Sequence, residues 1–264
     1  MSIYAGRGLL LYCSVLACVL GAVFGSFLNC AAWRIAHGES FLKGHSRCPK
    51  CEHELGAKDL VPVLSWVFQR GCCRYCGEKI SVRYPLTELG FALLTLACLL
   101  HFDLSVLCLR NWVFLCCLFC LSLVDLESYT IPDGCLLIAA GAWLAALPFL
   151  RPGWGEILRA LLAGLVFSGG ILLLSLAMDK ILGRESLGGG DVKLFAVVGL
   201  YLGFAGTLFT MLFACVLGLL FALALRKRDG AGKAIPFGPS ISAAAAAMLL
   251  WGRRLIEWYI GLLG

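Results

Sequence analysis

The segment LSVLCLRNWVFLCCLFCLSLVDLESYTIPD, residues 104–133, places a long apolar run directly before a short polar connector. Runs of this kind recur along the chain and do not alternate in polarity, which disfavours a closed β-barrel. They lie at 9–32, 85–101, 104–124, 134–150, 156–178, 192–206, 207–225 and 236–252. Most are near the roughly 20 apolar residues that a helix needs to cross the hydrocarbon core, and 192–206 is the shortest. The sequence therefore predicts an all-α polytopic membrane protein with about eight transmembrane helices, with seven or nine as the alternatives.

The composition supports this fold class. Of the 264 residues, 61% are hydrophobic and 14% are charged, whereas about a quarter of the residues in ordinary soluble domains are charged. The net charge of +6 does not indicate a nucleic-acid partner, because the basic residues lie in loops between apolar runs. The first run, Gly8–Trp33, is too long for the apolar core of a typical signal peptide. We therefore interpret residues 1–33 as a retained first transmembrane helix.

The loop of residues 34–84 sets the predicted orientation. It holds nine Lys and Arg residues, whereas only Arg7 precedes the first span. By the positive-inside rule, the loop is cytoplasmic and the N-terminus lies outside. Counting spans forward places the connectors 125–134, 179–193 and 226–233 on the cytoplasmic side as well.

Four cysteines in this loop have the spacing of a structural zinc site. Cys48-Pro-Lys-Cys51 and Cys73-Arg-Tyr-Cys76 are separated by 21 residues. Two such pairs can hold Zn²⁺ in a tetrahedral sulfur cage. A loop of about 50 residues is too small to build a stable apolar core, so metal binding would supply the missing folding free energy. The sequence predicts a small zinc-ribbon-like loop with Cys48, Cys51, Cys73 and Cys76 as its metal ligands.

The other notable loop residues have simpler interpretations. Disulfides are the main alternative to zinc, but the predicted cytoplasmic location is reducing. We interpret Cys72 as a neighbour of the ligands, and His45 and His53 as solvated loop histidines. Gly56 and Gly77 follow the two cysteine pairs, where tight turns are expected.

Two aspartates border apolar runs at the predicted cytoplasmic face. Asp125 ends the run at 104–124, and Asp191 follows the glycines at 188–190. Charged residues in such positions are costly and usually mark function. Two carboxyl groups that approach each other cannot both ionise easily, so one keeps a proton while the other activates water, as in aspartic proteases. The alternatives are a helix N-cap for Asp191 and a helix end among lipid headgroups for Asp125.

The residues around these aspartates also have predicted roles. The glycines at 188–190 leave no Cβ in the way of backbone that approaches Asp191 or a substrate strand. We interpret Lys193 as a snorkelling charge at a helix start. Asp133, which follows Pro132, is interpreted as a cap or turn residue at the start of the next helix.

Taken in order, these residues and several further motifs resemble the bacterial prepilin peptidases, also called type IV leader peptidases, which are membrane aspartyl proteases with a GxGD motif. The resemblance runs from about Gly21 to Pro239. Its motifs are Gly25-Ser-Phe-Leu-Asn29 with Arg34, the two CxxC pairs, Pro62-Val-Leu-Ser-Trp66, Ile80-Ser-Val-Arg-Tyr-Pro-Leu-Thr-Glu88, Asp125 with Ile131-Pro-Asp133, and Gly188-Gly-Gly-Asp191-Val-Lys-Leu194. The chain departs from the family at Cys72, where a lysine usually precedes the third ligand cysteine.

The resemblance implies a function. Members of this family cleave the leader from type IV prepilins and type II secretion pseudopilins at the cytoplasmic face of the bacterial inner membrane, and the family's catalytic aspartates match Asp125 and Asp191. Residues 85–264 would form the transmembrane aspartyl protease domain. Because the cysteine loop is complete, the resemblance also implies methylation of the new N-terminus with S-adenosylmethionine.

The methyl-donor site is less defined by the sequence. The chain contains no Gly-rich Rossmann fingerprint for the donor. Asn29, Arg34, Arg83 and Glu88 match family motif positions and are candidates to line the site. The alternative is that they anchor the loop to the bilayer by ion pairing.

Two other classes of protein remain open. A transporter or channel would use Asp125 and Asp191 as a proton or cation relay, although their position at one face rather than at the bilayer midplane weakens this interpretation. A membrane-anchored zinc adaptor would recruit pilus assembly proteins through the cysteine loop, but it does not explain the glycines before Asp191.

Overall fold

The structure, a computed structural model, describes residues 6–40, 44–183, 188–229 and 236–263. The loop 34–84 and the connectors 179–193 and 226–233 therefore lie partly outside the described residues. The helices are α1 (Arg7–Ala36), α2 (Leu64–Phe68), α3 (Arg83–Phe102), α4 (Val106–Ser128), α5 (Asp133–Leu150), α6 (Trp154–Leu182), α7 (Gly189–Asp229) and α8 (Gly238–Leu263), with a short 3-10 helix at Ala57–Asp59. Extended pairing within the described ranges is limited to isolated bridges.

Six of the described helices are long and apolar enough to cross a membrane, namely α1, α3, α4, α5, α6 and the part of α7 from Gly189 to Ala224. The prediction of an all-α polytopic membrane protein is confirmed. Helix α8 is not among the six, and it contains Arg253, Arg254 and Glu257. The number of eight spans stays a prediction.

Helix α7 is interrupted at Gly203, which has φ 64° and ψ −168°. This backbone conformation is open to glycine and strained for other residues. Near the start of α7, Gly190 lies against Ile131, which follows the end of α4. Farther along α7, Gly218 lies against Phe237. Phe237 precedes Gly238, which is hydrogen-bonded to Asp125 in the last turn of α4. A straight helix from Gly190 to Gly218 would be about 42 Å long, too long to place both of its ends beside one end of α4. The chain therefore folds back at Gly203, as the predicted spans 192–206 and 207–225 require.

The chain divides into two compact units, Met1–Cys108 and Leu109–Gly264. In the first unit, α1 packs against α3, and a β-carbon at Gly25 would lie 3.0 Å from the Cα of Glu88. In the second unit, α7 packs against α5, α6 and α8. The predicted domain boundaries at residues 33 and 84 stay a prediction.

Helices α6 and α7 approach each other most closely at a pair of glycines. A β-carbon at Gly164 would lie 2.6 Å from the carbonyl oxygen of Ala196, and one at Gly199 would overlap with the Cα of Gly164. Small residues allow such close approach in membranes, where van der Waals packing rather than the hydrophobic effect holds helices together. This contact positions the first half of α7, which begins with the glycines and Asp191.

We expect Gly199→Ala to destabilise the protein, because the added methyl group has no space between α6 and α7. Overpacking of this kind costs about 1–3 kcal/mol, which should lower the midpoint of thermal unfolding in detergent by several degrees. Gly169→Ala in α6 is the matched control, since a β-carbon there meets nothing within 4 Å. Equal midpoints for the two variants would contradict the close packing at Gly199.

Candidate functional site

Asp125 lies in the last turn of α4 and is 5% exposed. Its Oδ2 accepts a hydrogen bond of 2.9 Å from the backbone N–H of Gly238, the first residue of α8. A β-carbon at Gly238 would lie 2.7 Å from the same carboxyl oxygen, so only glycine allows this approach. The hydrogen bond fixes the orientation of the Asp125 carboxyl group and ties α4 to α8.

Asp191 lies in the first turn of α7 and is half-buried. It lies at the same end of the second unit as Asp125, because the preceding residue Gly190 packs against Ile131 in the connector that follows α4. Helix termini therefore bring together two acidic residues that are far apart in the sequence. The position of Asp191 in the first turn of α7 also fits the favourable interaction of an acidic side chain with a helix N-terminus.

The connector between α4 and α5 lies beside the start of α7. Tyr129 directly follows α4 and has φ 56°, and Pro132 in extended conformation precedes Asp133, the first residue of α5. A β-carbon at Gly190 would lie 2.9 Å from Cβ of Ile131. Gly190 thus has to be a glycine because the connector packs against its backbone. The sequence did not reveal this contact.

Lys193 and Asp133 form an ion pair at this end of the helices. The Lys193 Nζ lies 2.8 Å from Asp133 Oδ1, and both side chains are more than half exposed. Exposed ion pairs contribute little to stability. Asp133 therefore joins the start of α5 to that of α7, in addition to its predicted position at the helix start.

Sequence reasoning missed Gly238, although the resemblance extended to Pro239. The available signal was the segment Pro236-Phe-Gly-Pro239, in which two prolines flank a glycine immediately before an apolar run. The pattern indicates a special backbone position. It does not indicate that a carboxyl group from α4 would accept the glycine N–H.

The four predicted metal ligands, all in the first unit, come together. The Sγ atoms of Cys48, Cys51, Cys73 and Cys76 all lie within 4.8 Å of one another, and those of Cys48 and Cys76 are 3.8 Å apart. Tetrahedral coordination with Zn–S bonds of about 2.3 Å separates the sulfur atoms by about 3.8 Å. Backbone hydrogen bonds from Cys51 and Lys50 lower the pKa of the Cys48 thiol to about 7, which favours the thiolate that metals bind.

The two cysteine pairs have the same backbone construction. Isolated bridges join Arg47 to Glu54 around the first pair and Cys72 to Lys79 around the second. Cys72 thus pairs with backbone beside the cluster and does not belong to it. In both cases the residue after the second cysteine has positive φ, Glu52 at 57° and Gly77 at 73°.

The prediction of a tight turn at Gly77 is confirmed. A tight turn also begins at Gly56, whose carbonyl oxygen accepts a hydrogen bond from the Asp59 N–H, but this turn does not need a glycine. Gly56 has φ −79° and ψ 170°, an extended conformation that any residue adopts. The left-handed position of the first pair is occupied by Glu52 instead. Sequence alone favours glycine for such a position, whereas the surrounding backbone here holds a glutamate in it.

Asp59 is a second residue that sequence reasoning missed. Its side chain is 5% exposed and lies 2.9 Å from Nε of Arg74. It also accepts hydrogen bonds from the backbone N–H of Gly56, from Nε2 of Gln69 and from the hydroxyl of Tyr75. Because Arg74 and Tyr75 are the residues between Cys73 and Cys76, this buried carboxylate holds the second cysteine pair in place.

Two of the methyl-donor candidates contact the backbone of the loop. Arg34 donates from Nη2 to the carbonyl oxygen of His45 at 3.1 Å. Glu88 is 7% exposed, and its Oε2 accepts a hydrogen bond of 2.7 Å from the backbone N–H of Val63. Both residues thus fasten the loop to the helices α1 and α3.

The other two candidates lie on the same two helices. Asn29 is 6% exposed and lies one turn after Gly25, on the face of α1 that packs against α3. Arg83 is the first residue of α3 and is exposed.

An all-α membrane protein in which helix termini bring two aspartates together has the construction of a membrane aspartyl peptidase. Comparison with known families agrees with this class. Residues 19–102 match the Bacterial Peptidase A24 N-terminal domain, and residues 112–223 match the Type IV leader peptidase family. The chain belongs to the type IV leader peptidase family, which confirms the resemblance found in its motifs.

Individual relatives cover nearly the whole chain. The prepilin leader peptidase/N-methyltransferase of Bacillus subtilis (strain 168) is 33% identical over 246 residues, which are 92% of this chain and 96% of the relative. The protein of the same name from Pseudomonas putida is 32% identical and covers 96% of each chain. That from Myxococcus xanthus (strain DK1622) is 33% identical over 90% of this chain and 74% of the relative. No solved structure matches the chain.

We expect Gly238→Ala to disturb the Asp125 carboxyl group, because the new methyl group would lie against its Oδ2. The loss of a buried hydrogen bond to a charged or polar partner costs about 1–3 kcal/mol, so unfolding in detergent should shift to lower temperature. Gly134→Ala is the matched control, since a β-carbon there meets nothing within 4 Å. A Gly238→Ala protein as stable as this control would show that the close approach is not needed.

Proposed function

We propose that this protein cleaves the leader peptide from type IV prepilins or pseudopilins at the cytoplasmic face of the bacterial inner membrane. The placement of Asp125 and Asp191 at the same end of the second unit, where the start of α7 lies against the connector that follows α4, is the observation that carries the proposal. The relatives are named prepilin leader peptidase/N-methyltransferase, and the family favours a peptidase over a transporter or channel. The basic loop 34–84 supports the cytoplasmic orientation of the site.

The proposed chemistry is hydrolysis by a pair of carboxyl groups that share one proton. One carboxylate removes a proton from water as the water oxygen attacks the carbonyl carbon of the scissile peptide bond. The protonated partner gives its proton to the amine nitrogen as the C–N bond breaks. The Gly238 N–H holds Asp125 in a fixed orientation for this exchange. Because the two groups titrate as a pair, the roles of base and acid belong to the dyad as a unit.

We further propose that the protein methylates the amine that cleavage releases, with S-adenosylmethionine as the methyl donor. The names of the relatives support this second activity. Asn29, Arg34, Arg83 and Glu88 stay candidates for the donor site. The backbone contacts of Arg34 and Glu88 favour a third role for these two, in which they position the loop by hydrogen bonds and not by ion pairing to the bilayer.

Zn²⁺ is the metal that we propose for the four-cysteine cluster. Four sulfur ligands with the observed separations suit its tetrahedral preference. Cys48, Cys51, Cys73 and Cys76 would hold the ion and leave no open coordination position, so its contribution would be structural. The metal would join two short segments that have no apolar core of their own.

We expect Asp191→Asn and Asp125→Asn to reduce leader cleavage by roughly 10²–10⁴-fold, because the amide can neither accept nor donate the shared proton. Cleavage of a purified prepilin by the detergent-solubilised protein can be followed by mass spectrometry. Asp133→Asn is the matched control, as it removes an exposed carboxylate at the same end of the helices and should leave cleavage within a few-fold of wild type. Cleavage by Asp191→Asn at the rate of this control would refute the dyad.

We expect the purified protein to contain zinc and Cys48→Ser to lack it, as measured by elemental mass spectrometry. Cys72→Ser should retain the metal, because Cys72 lies outside the cluster. Asp59→Asn should bind zinc but release it to a chelator faster than wild type, because the second cysteine pair loses its carboxylate support. Glu54→Gln is the control for Asp59, and equal release rates from the two variants would exclude this role for Asp59.

A further inference from the structure

Helix α2 and the turn before it are attached to the cysteine loop through one face. Trp66 donates from its indole Nε1 to the carbonyl oxygen of Ile80 at 3.1 Å. A β-carbon at Gly71 would lie 2.9 Å from the Trp66 ring, so the backbone packs directly on the indole. The inward face of α2 is therefore fixed by a hydrogen bond and by ring packing.

The opposite face of α2 carries apolar side chains that no other described part of the chain covers. Val61, Leu64, Val67 and Phe68 are all exposed, and Phe68 is 80% exposed. Within α2, the helical spacing places Leu64, Val67 and Phe68 on one side, and Val61 lies in the turn directly before the helix. We call these four residues the apolar face of α2. A contiguous apolar face of this kind marks an interaction with a membrane or another molecule.

A hydrogen bond fixes the height of α2 along a membrane-spanning helix. The backbone N–H of Val63, between the first two residues of the apolar face, donates to Oε2 of Glu88 at 2.7 Å. Glu88 lies in the second turn of α3, where its Cα is also close to α1. Around it on α3, Leu86 and Leu89 are exposed apolar residues of the span. The apolar face of α2 thus lies level with the second turn of the apolar helix α3.

The charges next to α2 match the surface of a bacterial inner membrane. Lys58 precedes the apolar face and Arg70 follows it, and both are exposed. Long basic side chains at the edge of an apolar surface extend to phosphate headgroups while their stems stay in apolar surroundings. Anionic lipids attract such residues at the membrane surface.

We propose that the apolar face of α2 inserts into the lipid leaflet on the side of the cysteine loop, with Lys58 and Arg70 at the headgroups. The occupant of this surface is the bilayer itself, because the apolar face lies level with the exposed apolar residues Leu86 and Leu89 of the α3 span. Amphipathic segments bind in this way, with the apolar side chains a few ångströms below the headgroups. The insertion would hold the cysteine loop at the membrane surface, and it does not depend on the aspartate pair.

The test uses the full-length protein in nanodiscs of phosphatidylethanolamine and phosphatidylglycerol. The photo-crosslinking amino acid p-benzoylphenylalanine replaces Phe68 in one sample, Glu78 in a second and Leu86 in a third. Glu78 is an exposed acidic residue that follows the second cysteine pair, and Leu86 is an exposed residue of the α3 span. After irradiation, mass spectrometry identifies the molecule bound to each position.

We expect phospholipid adducts at positions 68 and 86 and few at position 78. A position 68 without lipid adducts, while position 86 is labelled, would overturn the proposal. Adducts from position 68 to another part of this chain, or to a prepilin added to the nanodiscs, would overturn it as well and would identify a protein partner for the apolar face. Equal lipid yields at positions 68 and 78 would show that labelling is unspecific and would also contradict it.

A second measurement separates insertion from mere proximity. With p-benzoylphenylalanine at Leu64, the double substitution Val67→Ser and Phe68→Ser should lower the yield of lipid adducts by about tenfold or more, because it removes two apolar groups from the leaflet. The yield at Leu86 in the same background should stay unchanged, which shows that α3 is still folded in the membrane. An unchanged yield at Leu64 would contradict insertion.

Discussion

The hydrogen bond between the Gly238 amide and the Asp125 carboxyl group is the constraint on which the second unit depends. It joins the end of α4 to the start of α8, and it exists only because residue 238 has no β-carbon. A carboxyl group that is largely removed from water needs such a donor, since burial without a partner is costly. The position of Asp125 then determines where the start of α7 must lie for a second carboxyl group to meet it.

Backbone contacts at glycines make that meeting possible. Gly190 allows the start of α7 to approach the connector after α4, and the glycine pair between α6 and α7 fixes the first half of α7. The reversal at Gly203 returns the chain to the same end of the unit. Such close contacts at glycines favour helix association in a membrane, where van der Waals packing takes the place of the hydrophobic effect. Asp125 and Asp191 are therefore positioned by helix termini.

The cysteine loop is held by polar contacts in place of an apolar core. Asp59 supports the second cysteine pair, Trp66 fastens α2 to the loop, and Glu88 ties α2 to α3. Each contact uses a partly or fully buried donor or acceptor, which makes it directional as well as stabilising. Such a loop can be small and still have one conformation. The hydrogen bond from Val63 to Glu88 also fixes the position of the loop along α3.

The sequence by itself determined the fold class, the family and the residue types of both sites. The decisive patterns are local: apolar runs of membrane-spanning length, two CxxC pairs, and acidic residues at the ends of runs. Each can be recognised from residues that lie close together in the sequence. Tertiary structure alone decided which groups meet: Gly238 with Asp125, Gly190 with Ile131, Asp59 with Arg74, and Glu88 with Val63. It also assigned the left-handed turn of the first cysteine pair to Glu52, which composition would place at Gly56. The physical reason is that these contacts join residues from separate segments, so they depend on distances that no local pattern of residues encodes.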